Sequence, residues 1–366
     1  MYITRTDITG LRRFDRVSLA PDPGLNLLIG DNGAGKTSVL EALHLMAYGR
    51  SFRGRVRDGL IGQGAEAIEV FIEWHETTSG RARKAGLRHH GPSWEGRLDG
   101  APVEQLGELC AALAVVTFEP GSHVLVMGGG ETRRRLLDWG LFHVEQEFLP
   151  HWRRYARALK QRNALLKARA RNQELDAWDA ELAEAGEPVT RYRQDYLESL
   201  QRHLRAGAGL LLPEVGAARL DFMPGWRRDE LSLGDALLLA RDRDRVAGFT
   251  SVGPHRADWG VHYAEIPGRT ALSRGQAKLT ALAILLAQAE LHAGLRGEWP
   301  VIALDDLASE LDRTRQRRVL ERLLDCGAQV FITGTQIPES VSEIDAPFRL
   351  FHVEHGVIRP QGERLA

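Results

Sequence analysis

Residues 30–37, Gly-Asp-Asn-Gly-Ala-Gly-Lys-Thr, constrain this chain more than any other stretch. They match the pattern G-x-x-x-x-G-K-[ST], with a strand-like run, LNLLI at residues 25–29, before them. After them Val39, Leu40, Leu43, Met46 and Ala47 recur at helical spacing and form one apolar stripe, with Gly49 as a stop. A glycine-rich turn between strand and helix brings backbone N–H groups close to phosphate oxygens without a Cβ in the way. The helix dipole then adds its positive end. Residues Gly30, Asp31, Asn32, Gly33, Ala34, Gly35, Lys36, Thr37 and Ser38 are therefore the candidate nucleotide cradle. Lys36 is expected to reach the β- and γ-phosphates and Thr37 to bind Mg²⁺.

Two later motifs extend the site. The apolar run VIAL at 301–304 reads as a strand buried on both faces, and it ends in Asp305-Asp306. At the carboxyl end of a parallel strand these carboxylates face a phosphate loop: Asp305 for the Mg²⁺ shell, Asp306 to orient or deprotonate a water. Residues 272–276, Leu-Ser-Arg-Gly-Gln, precede a helix with Leu279, Leu282, Leu286 and Ala289 on one face. Ser273 is an N-cap residue, and with Gly275 and Gln276 it offers a hydroxyl and bare amides at a helix start, an anion site. A second phosphate-facing motif in a chain with its own phosphate loop implies a site completed by another subunit.

At 366 residues the chain is long enough for about two domains. Strand patterns at 2–8, 25–29, 67–74 and 113–118 open a sheet domain, with an irregular hairpin expected at 80–100. After the glycines at 128–130, helical spacing runs to about residue 208, folding back near Pro150 and Pro188. Strand patterns return at 220–223, 258–263, 301–304, 329–333 and 348–353. The expectation is an α/β fold with a mixed sheet made of residues 1–127 and 209–366, and an inserted helical domain at 128–208.

Taken together the motifs resemble the ATP-binding cassette heads of SMC-like DNA-repair ATPases, P-loop NTPases. More closely, nearly the whole chain resembles the RecF family of recombination and replication-repair proteins. The matching stretches are 26–43 (NLLIGDNGAGKTSVLEAL), 49–53 (GRSFR), 133–138 (RRRLLD), 253–258 (GPHRAD), 272–278 (LSRGQAK), 304–312 (LDDLASELD) and 330–335 (VFITGT). The resemblance implies an ATP-dependent homodimer that binds single-stranded or gapped double-stranded DNA and, with RecR and RecO, helps place RecA. It also implies that Ser273 of one subunit touches the γ-phosphate held by Lys36 of the other, and that Ser309 and Asp312 lie in the loop crossing the dimer interface. The chain departs from the family at Gly121 and Ser122, where an acidic pair is usual. Thr335 and Gln336 stand where transporter ATPases commonly carry a switch histidine.

Charge distribution adds candidates that total charge does not, since the net is −1. Between residues 131 and 171 eleven Lys or Arg stand against four Asp or Glu, an excess of seven. Arg153, Arg157, Lys160 and Lys167 share a helical face suited to tracking DNA phosphates, and Arg133 and Arg134 join them as candidates. The alternative is a solvated face neutralised by the six acidic residues of 172–188. Arg50, Arg53, Arg55 and Arg57 form a second basic cluster for DNA, nucleotide or neither. Arg256 suits nucleotide, partner subunit or DNA, and Arg12 and Arg13 suit nucleotide in the family picture.

Other features bound the function. No apolar run approaches the ~18 residues that span a bilayer, and no secretory pattern opens the chain, so a cytoplasmic protein is expected. Cys110 and Cys326 are expected to be buried free thiols, His89 and His90 to be surface residues without metal, and Trp139, Trp152 and Trp178 to be core. The reaction expected is slow ATP hydrolysis used as a timer. The competing readings are the ATPase subunit of a membrane transporter, disfavoured by the basic insertion and the 237 positions between Lys36 and Ser273, and a nucleotide-bound scaffold without catalysis.

Overall fold

Period-two alternation builds the first layer of the structure, a computed structural model that describes residues 1–53, 59–90, 93–266, 271–344 and 346–364. Strands β1 (Tyr2–Leu11) and β2 (Phe14–Leu19) form a hairpin with Ile3, Ile8, Leu11, Phe14 and Leu19 buried. The chain passes through β3 (Leu25–Ile29) and α1 (Lys36–Tyr48), then adds β4 (Ile68–His75), β5 (Ala82–His90), β6 (Ser93–Leu98) and β7 (Ala101–Pro102). These complete an antiparallel sheet ordered β2-β1-β4-β5-β6-β7. Among its described residues, the segment expected to be an irregular hairpin forms two regular strands, β5 and β6, paired from Ala85↔Leu98 to His90↔Ser93. His89 is not at the surface. It shares the buried face with Leu87 and is 3% exposed, stacked on Trp94 at 3.9 Å, whereas His90 faces solvent beside Glu95.

Helix α2 (Leu106–Ala112) and β8 (Val115–Phe118) end this stretch, and residues His123–Ala281 form a separate compact unit. Its elements are α3 (Val124–Met127), α4 (Gly130–Val144), α5 (Phe148–Lys167), α6 (Asn172–Leu211), β9 (Ala218–Met223), α7 (Leu233–Ala247), β10 (Asp258–Tyr263) and the start of α8 (Arg274–Arg296). The unit is longer than residues 128–208 because α7 and β9 pack on α6 and β10 packs on α4. The chain does not fold back at Pro188. That residue lies inside the 40-residue α6, and the reversal comes at residues 168–171, after α5. Pro150 sits in the first turn of α5, where a missing N–H costs no helical hydrogen bond. Trp139 is 5% exposed, in the core as expected, while Trp152 and Trp178, also expected in the core, are only half-buried.

The first unit, Met1–Ser122 with Leu282–Ala366, resumes within α8. It adds β11 (Val301–Leu304), α9 (Leu307–Glu310), α10 (Arg313–Asp325), β12 (Val330–Gly334), α11 (Glu339–Glu343), β13 (Phe348–Glu354) and β14 (Val357–Arg364). A second sheet runs β14-β13-β3-β12-β11-β8, parallel except for the β13–β14 pair, so the fold has the expected mixed character. Helix α1 packs on β1 of the first sheet and on β8 and β12 of the second, and ten of its side chains beyond Lys36 are buried, as a helix between layers requires. The fully buried Gln329 joins the layers: its amide accepts from Ile3 N–H at 2.7 Å and donates to the carbonyls of Ile3 and Asp22. Of the two thiols, Cys110 is half-buried and pushed up to about 12 by burial. Cys326 is exposed rather than buried, because it caps α10 at the surface.

Candidate functional site

The turn after β3 is closed by glycine geometry. Gly33 (φ 80°) and Gly35 (φ 119°) are left-handed, and a Cβ on Gly30 would lie 2.0 Å from the Val353 carbonyl oxygen, so only glycine fits. Lys36 then starts α1 with its ammonium folded under the turn, donating to the carbonyls of Gly30 at 2.7 Å and Asp31 at 2.8 Å. Burial lowers its pKa, opposed by the nearby Asp306, Asp305 and Asp31. An ammonium so little hydrated holds anions strongly, since less water must be displaced.

Strand order brings the carboxylates to this turn. Because β12 lies between β3 and β11, the carboxyl ends of all three strands meet. Asp305, 5% exposed, accepts hydrogen bonds from the Thr37 hydroxyl at 2.9 Å and the Thr333 hydroxyl at 2.6 Å. Burial raises its pKa, while these two hydroxyls and Arg53 pull the other way. Asp306 adopts a left-handed backbone (φ 52°), and its N–H donates to Thr333 Oγ1 at 2.9 Å. The sequence does not single out Thr333 as a site residue, although it lies in the matching stretch VFITGT, because nothing local to that strand marks its hydroxyl as a partner of the aspartates. It is nonetheless the side chain that ties both aspartates to β12. Thr37 Oγ1 and the Asp305 carboxylate are hard oxygen donors 2.9 Å apart, close to the separation of neighbouring ligands around Mg²⁺, whose bonds are about 2.0–2.1 Å. The donor set fits Mg²⁺.

A cavity of about 520 Å³ opens over these groups, lined by Lys36, Thr37, Asp305 and Asp306 and rimmed by Arg12, Arg13 and Arg53. A larger hollow of about 850 Å³ lies over Phe71, Gly86 and Arg97 on the antiparallel sheet, but it has no phosphate loop and its carboxylates Asp7 and Glu69 are paired with Arg5 and Arg88, so the smaller cavity is the candidate site. Pro120 reaches the cavity. Gly121 instead turns its N–H onto Glu119, and Ser122 accepts from the Glu119 N–H. Arg55 and Arg57 lie outside the described residues.

The remaining candidates divide between the two units. Ser273 caps α8: its hydroxyl accepts from Gln276 N–H at 3.2 Å, and the Gln276 side chain accepts from Ser273 N–H at 2.9 Å. Ser273, Arg274 and Gly275 are exposed. In the first unit, Ser309 is exposed on α9, and Asp312 caps α10 by accepting from Arg315 N–H at 2.9 Å.

Helical phase sorts the basic residues. Arg133 is 2% exposed, forked onto Asp258 at 2.6 and 2.9 Å and bonded to the carbonyls of Leu125, Val126 and Gly128. It is a structural clamp and not a DNA contact, because it falls on the buried face of α4 with Leu136 and Leu137. Arg134 is half-buried and donates to Ala257 O at 2.6 Å. Along α5, Tyr155, Ala158 and Arg162 face inward, whereas Arg157, Lys160 and Lys167 are exposed and Arg153 half-buried. The acidic block neutralises other arginines, through Arg154 with Glu181 and Glu184 and Arg162 with Asp179. Arg256 is exposed above the Phe249 ring at 5.1 Å. The turn holding it is clamped by Tyr155, whose hydroxyl donates to His255 Nδ1 at 2.6 Å, and by Arg193, which donates to Pro254 O at 2.7 Å. Burial brings His255 down to about 4, so its ring is neutral, with Nε2–H on Thr250 O.

Among known proteins, residues 2–359 match the RecF/RecN/SMC N-terminal domain family. The DNA replication and repair protein RecF of Stenotrophomonas maltophilia (strain R551-3) is 68% identical over 361 residues, covering 98% of this chain and 99% of that protein. A solved structure of the recombination mediator protein RecF with ATP, in the RecFOR pathway, superposes with a TM-score of 0.88 at 26% identity, over 99% of this chain and 98% of that one. An Smc head bound to the C-terminal winged-helix domain of ScpA superposes with a TM-score of 0.58 at 15% identity, over 99% and 98% of the two chains, a likeness of fold. The head fold expected from the motifs is the fold observed. Among the described residues no helix is long and apolar enough to cross a membrane.

Proposed function

The chain belongs to the RecF family, and from that premise we propose that it is an ATP-dependent DNA-binding clamp of recombinational repair and replication restart, acting in the cytoplasm. Two copies close on single-stranded or gapped double-stranded DNA when ATP is bound and, with RecO and RecR, help load RecA. The observation that carries this reading is the convergence of Lys36, Thr37, Thr333, Asp305 and Asp306 on one cavity at the ends of three parallel strands.

Lys36 binds the β- and γ-phosphates, and Thr37 and Asp305 hold Mg²⁺. Bound there, the metal neutralises charge on the phosphoryl oxygens. Asp306 orients the attacking water and draws off its proton, and its side chain, one methylene shorter than a glutamate, makes turnover slow. Hydrolysis is then a timer for opening. Ser273, with Gly275 and Gln276, contacts the terminal phosphate held by the other copy, and Ser309 and Asp312 lie at that interface. Differential affinity for ATP over ADP arises because only the triphosphate is shared.

Sedimentation of the wild type and Ser273→Arg, each with and without ATP and gapped DNA, tests the clamp. Dimerisation is expected only with ATP and is expected to vanish in the variant while each copy still binds nucleotide. Dimerisation indifferent to nucleotide and to the substitution would refute the shared site. The exposed stripe of α5 is expected to bind DNA phosphates. Reversing Arg153 and Arg157 to glutamate should weaken DNA binding and lower the slope of log K against log salt by about 2, near 0.9 for each phosphate that is no longer neutralised. An unchanged slope, measured by fluorescence anisotropy, assigns DNA to another surface.

A further inference from the structure

Behind the arginine rim of the phosphate cavity lies a carboxylate that neither the motif nor the chemistry above employs. Glu41 sits one helical turn after Thr37 on α1, and its side chain is fully buried. Arg12 grips it in a fork, Nε to Oε2 at 3.0 Å and Nη2 to Oε1 at 2.8 Å. The Ser51 hydroxyl donates to Oε1, and Arg53 Nη1 stands 3.9 Å from Oε2. A buried carboxylate so surrounded is held in a single rotamer, and it holds its partners in turn.

Each partner is also fixed from a second side. Arg12 occupies the β1–β2 turn in a left-handed conformation (φ 56°), with its N–H on the Leu60 carbonyl at 2.9 Å. Ser51 Oγ accepts from the Arg53 N–H at 2.9 Å. Between them Phe52 sets its ring edge-on to His44 at 5.1 Å, and His44 is stacked on Tyr48 and bonded to Thr117. Burial brings His44 down to about 3, so this anchor is neutral.

Two guanidinium groups share one carboxylate, so the cluster keeps a net positive charge at the cavity rim. Arg53, 45% exposed, pairs with Glu41 and also acts on Asp305, where its charge opposes the rise in pKa that burial causes. We propose that Glu41 is a positioning residue whose buried carboxylate aims Arg12 and Arg53 at the phosphates of a bound nucleoside triphosphate. This rests on the reading of the Lys36 loop as an ATP site. A plain surface arginine would lose side-chain entropy on meeting the ligand, whereas a pre-aimed one does not.

Equilibrium binding of Mg-ATP to the full chain, with Glu41→Gln made both in the wild type and in an Arg12→Gln/Arg53→Gln background, tests the assignment. In the wild type, Glu41→Gln is expected to weaken ATP about tenfold, the loss of roughly one charge-assisted hydrogen bond. In the arginine-less background it should change affinity by less than about twofold, because its targets are gone. Equal losses in both backgrounds would overturn the proposal and leave Glu41 a general prop of α1. If Glu41→Gln does not fold, Arg12→Lys carries the test: it keeps the charge but cannot fork onto both carboxylate oxygens. A similar loss supports the proposal, and wild-type affinity overturns it. A wild-type chain that fails to bind ATP refutes the ATP site itself, a separate outcome.

Discussion

Replacing Lys36 with methionine is expected to weaken ATP binding by roughly 100-fold while the fold survives. Methionine keeps most of the apolar stem that packs under the loop, so little core volume is lost. The ammonium is lost, and with it at least one charge-assisted hydrogen bond to phosphate, worth about 1.5–3 kcal/mol each, or one to two decades in affinity. In the wild type that ammonium rests on the carbonyls of Gly30 and Asp31 at 2.7 and 2.8 Å, already inside the loop. ADP should suffer less than ATP, since only the triphosphate offers the γ-oxygens. Calorimetric titration with both nucleotides, beside a thermal melt, reads the result. Unaltered ATP affinity in a folded variant would mean that residues 30–37 do not hold the phosphates.

The largest loss of stability is expected in the second unit, at Arg162→Ala. This guanidinium is fully buried. It bridges Asp179 at 2.5 Å, Asp244 at 2.7 Å and Thr250 at 3.0 Å, linking α5 to α6, α7 and the loop that leads to Arg256. Asp179 keeps a second cation in Arg241, but Asp244, with no side-chain exposure, would be left with only neutral donors from Ser251. Breaking one side of a buried ion pair costs about 3–5 kcal/mol, because the remaining charge stays desolvated. For a unit of this size that is a fall of roughly 10 °C in unfolding temperature. Hydrogen exchange at the α5–α7 amides locates the loss. Arg154→Ala is the control, for its pairs with Glu181 and Glu184 are reached by solvent rather than enclosed and should contribute much less. Equal effects of the two substitutions would show that burial of Arg162 is not what makes it costly to remove.

Legibility followed the range of the physics. The loop at 30–37 is readable because its chemistry is local: glycine φ angles, a lysine and a helix start lie within eight consecutive residues. Asp305 is readable because a charge after four apolar residues breaks a pattern. Thr333 and Glu41 carry no such mark. Each becomes a site residue only when strand order or helix packing delivers a partner 28 or 29 positions away.

The basic segment makes the same point by contrast. The basic excess of residues 131–171 counts Arg133, Arg157 and Arg162 alike, yet burial makes the first a clamp on Asp258 and the third an internal strut, and of the three leaves Arg157 in water. Pro188 shows that a helix breaker yields when tertiary contacts exceed its local cost of about 3 kcal/mol, since α6 continues through it with Ala185 and Val189 buried. The amino-acid order by itself determined the phosphate loop, the buried parallel strand and the class of chemistry, because each is written in neighbours along the chain. Tertiary structure alone decided which cations meet solvent, which carboxylates are paired and which threonine joins the aspartates. Those outcomes depend on desolvation, and desolvation is fixed only when distant segments pack.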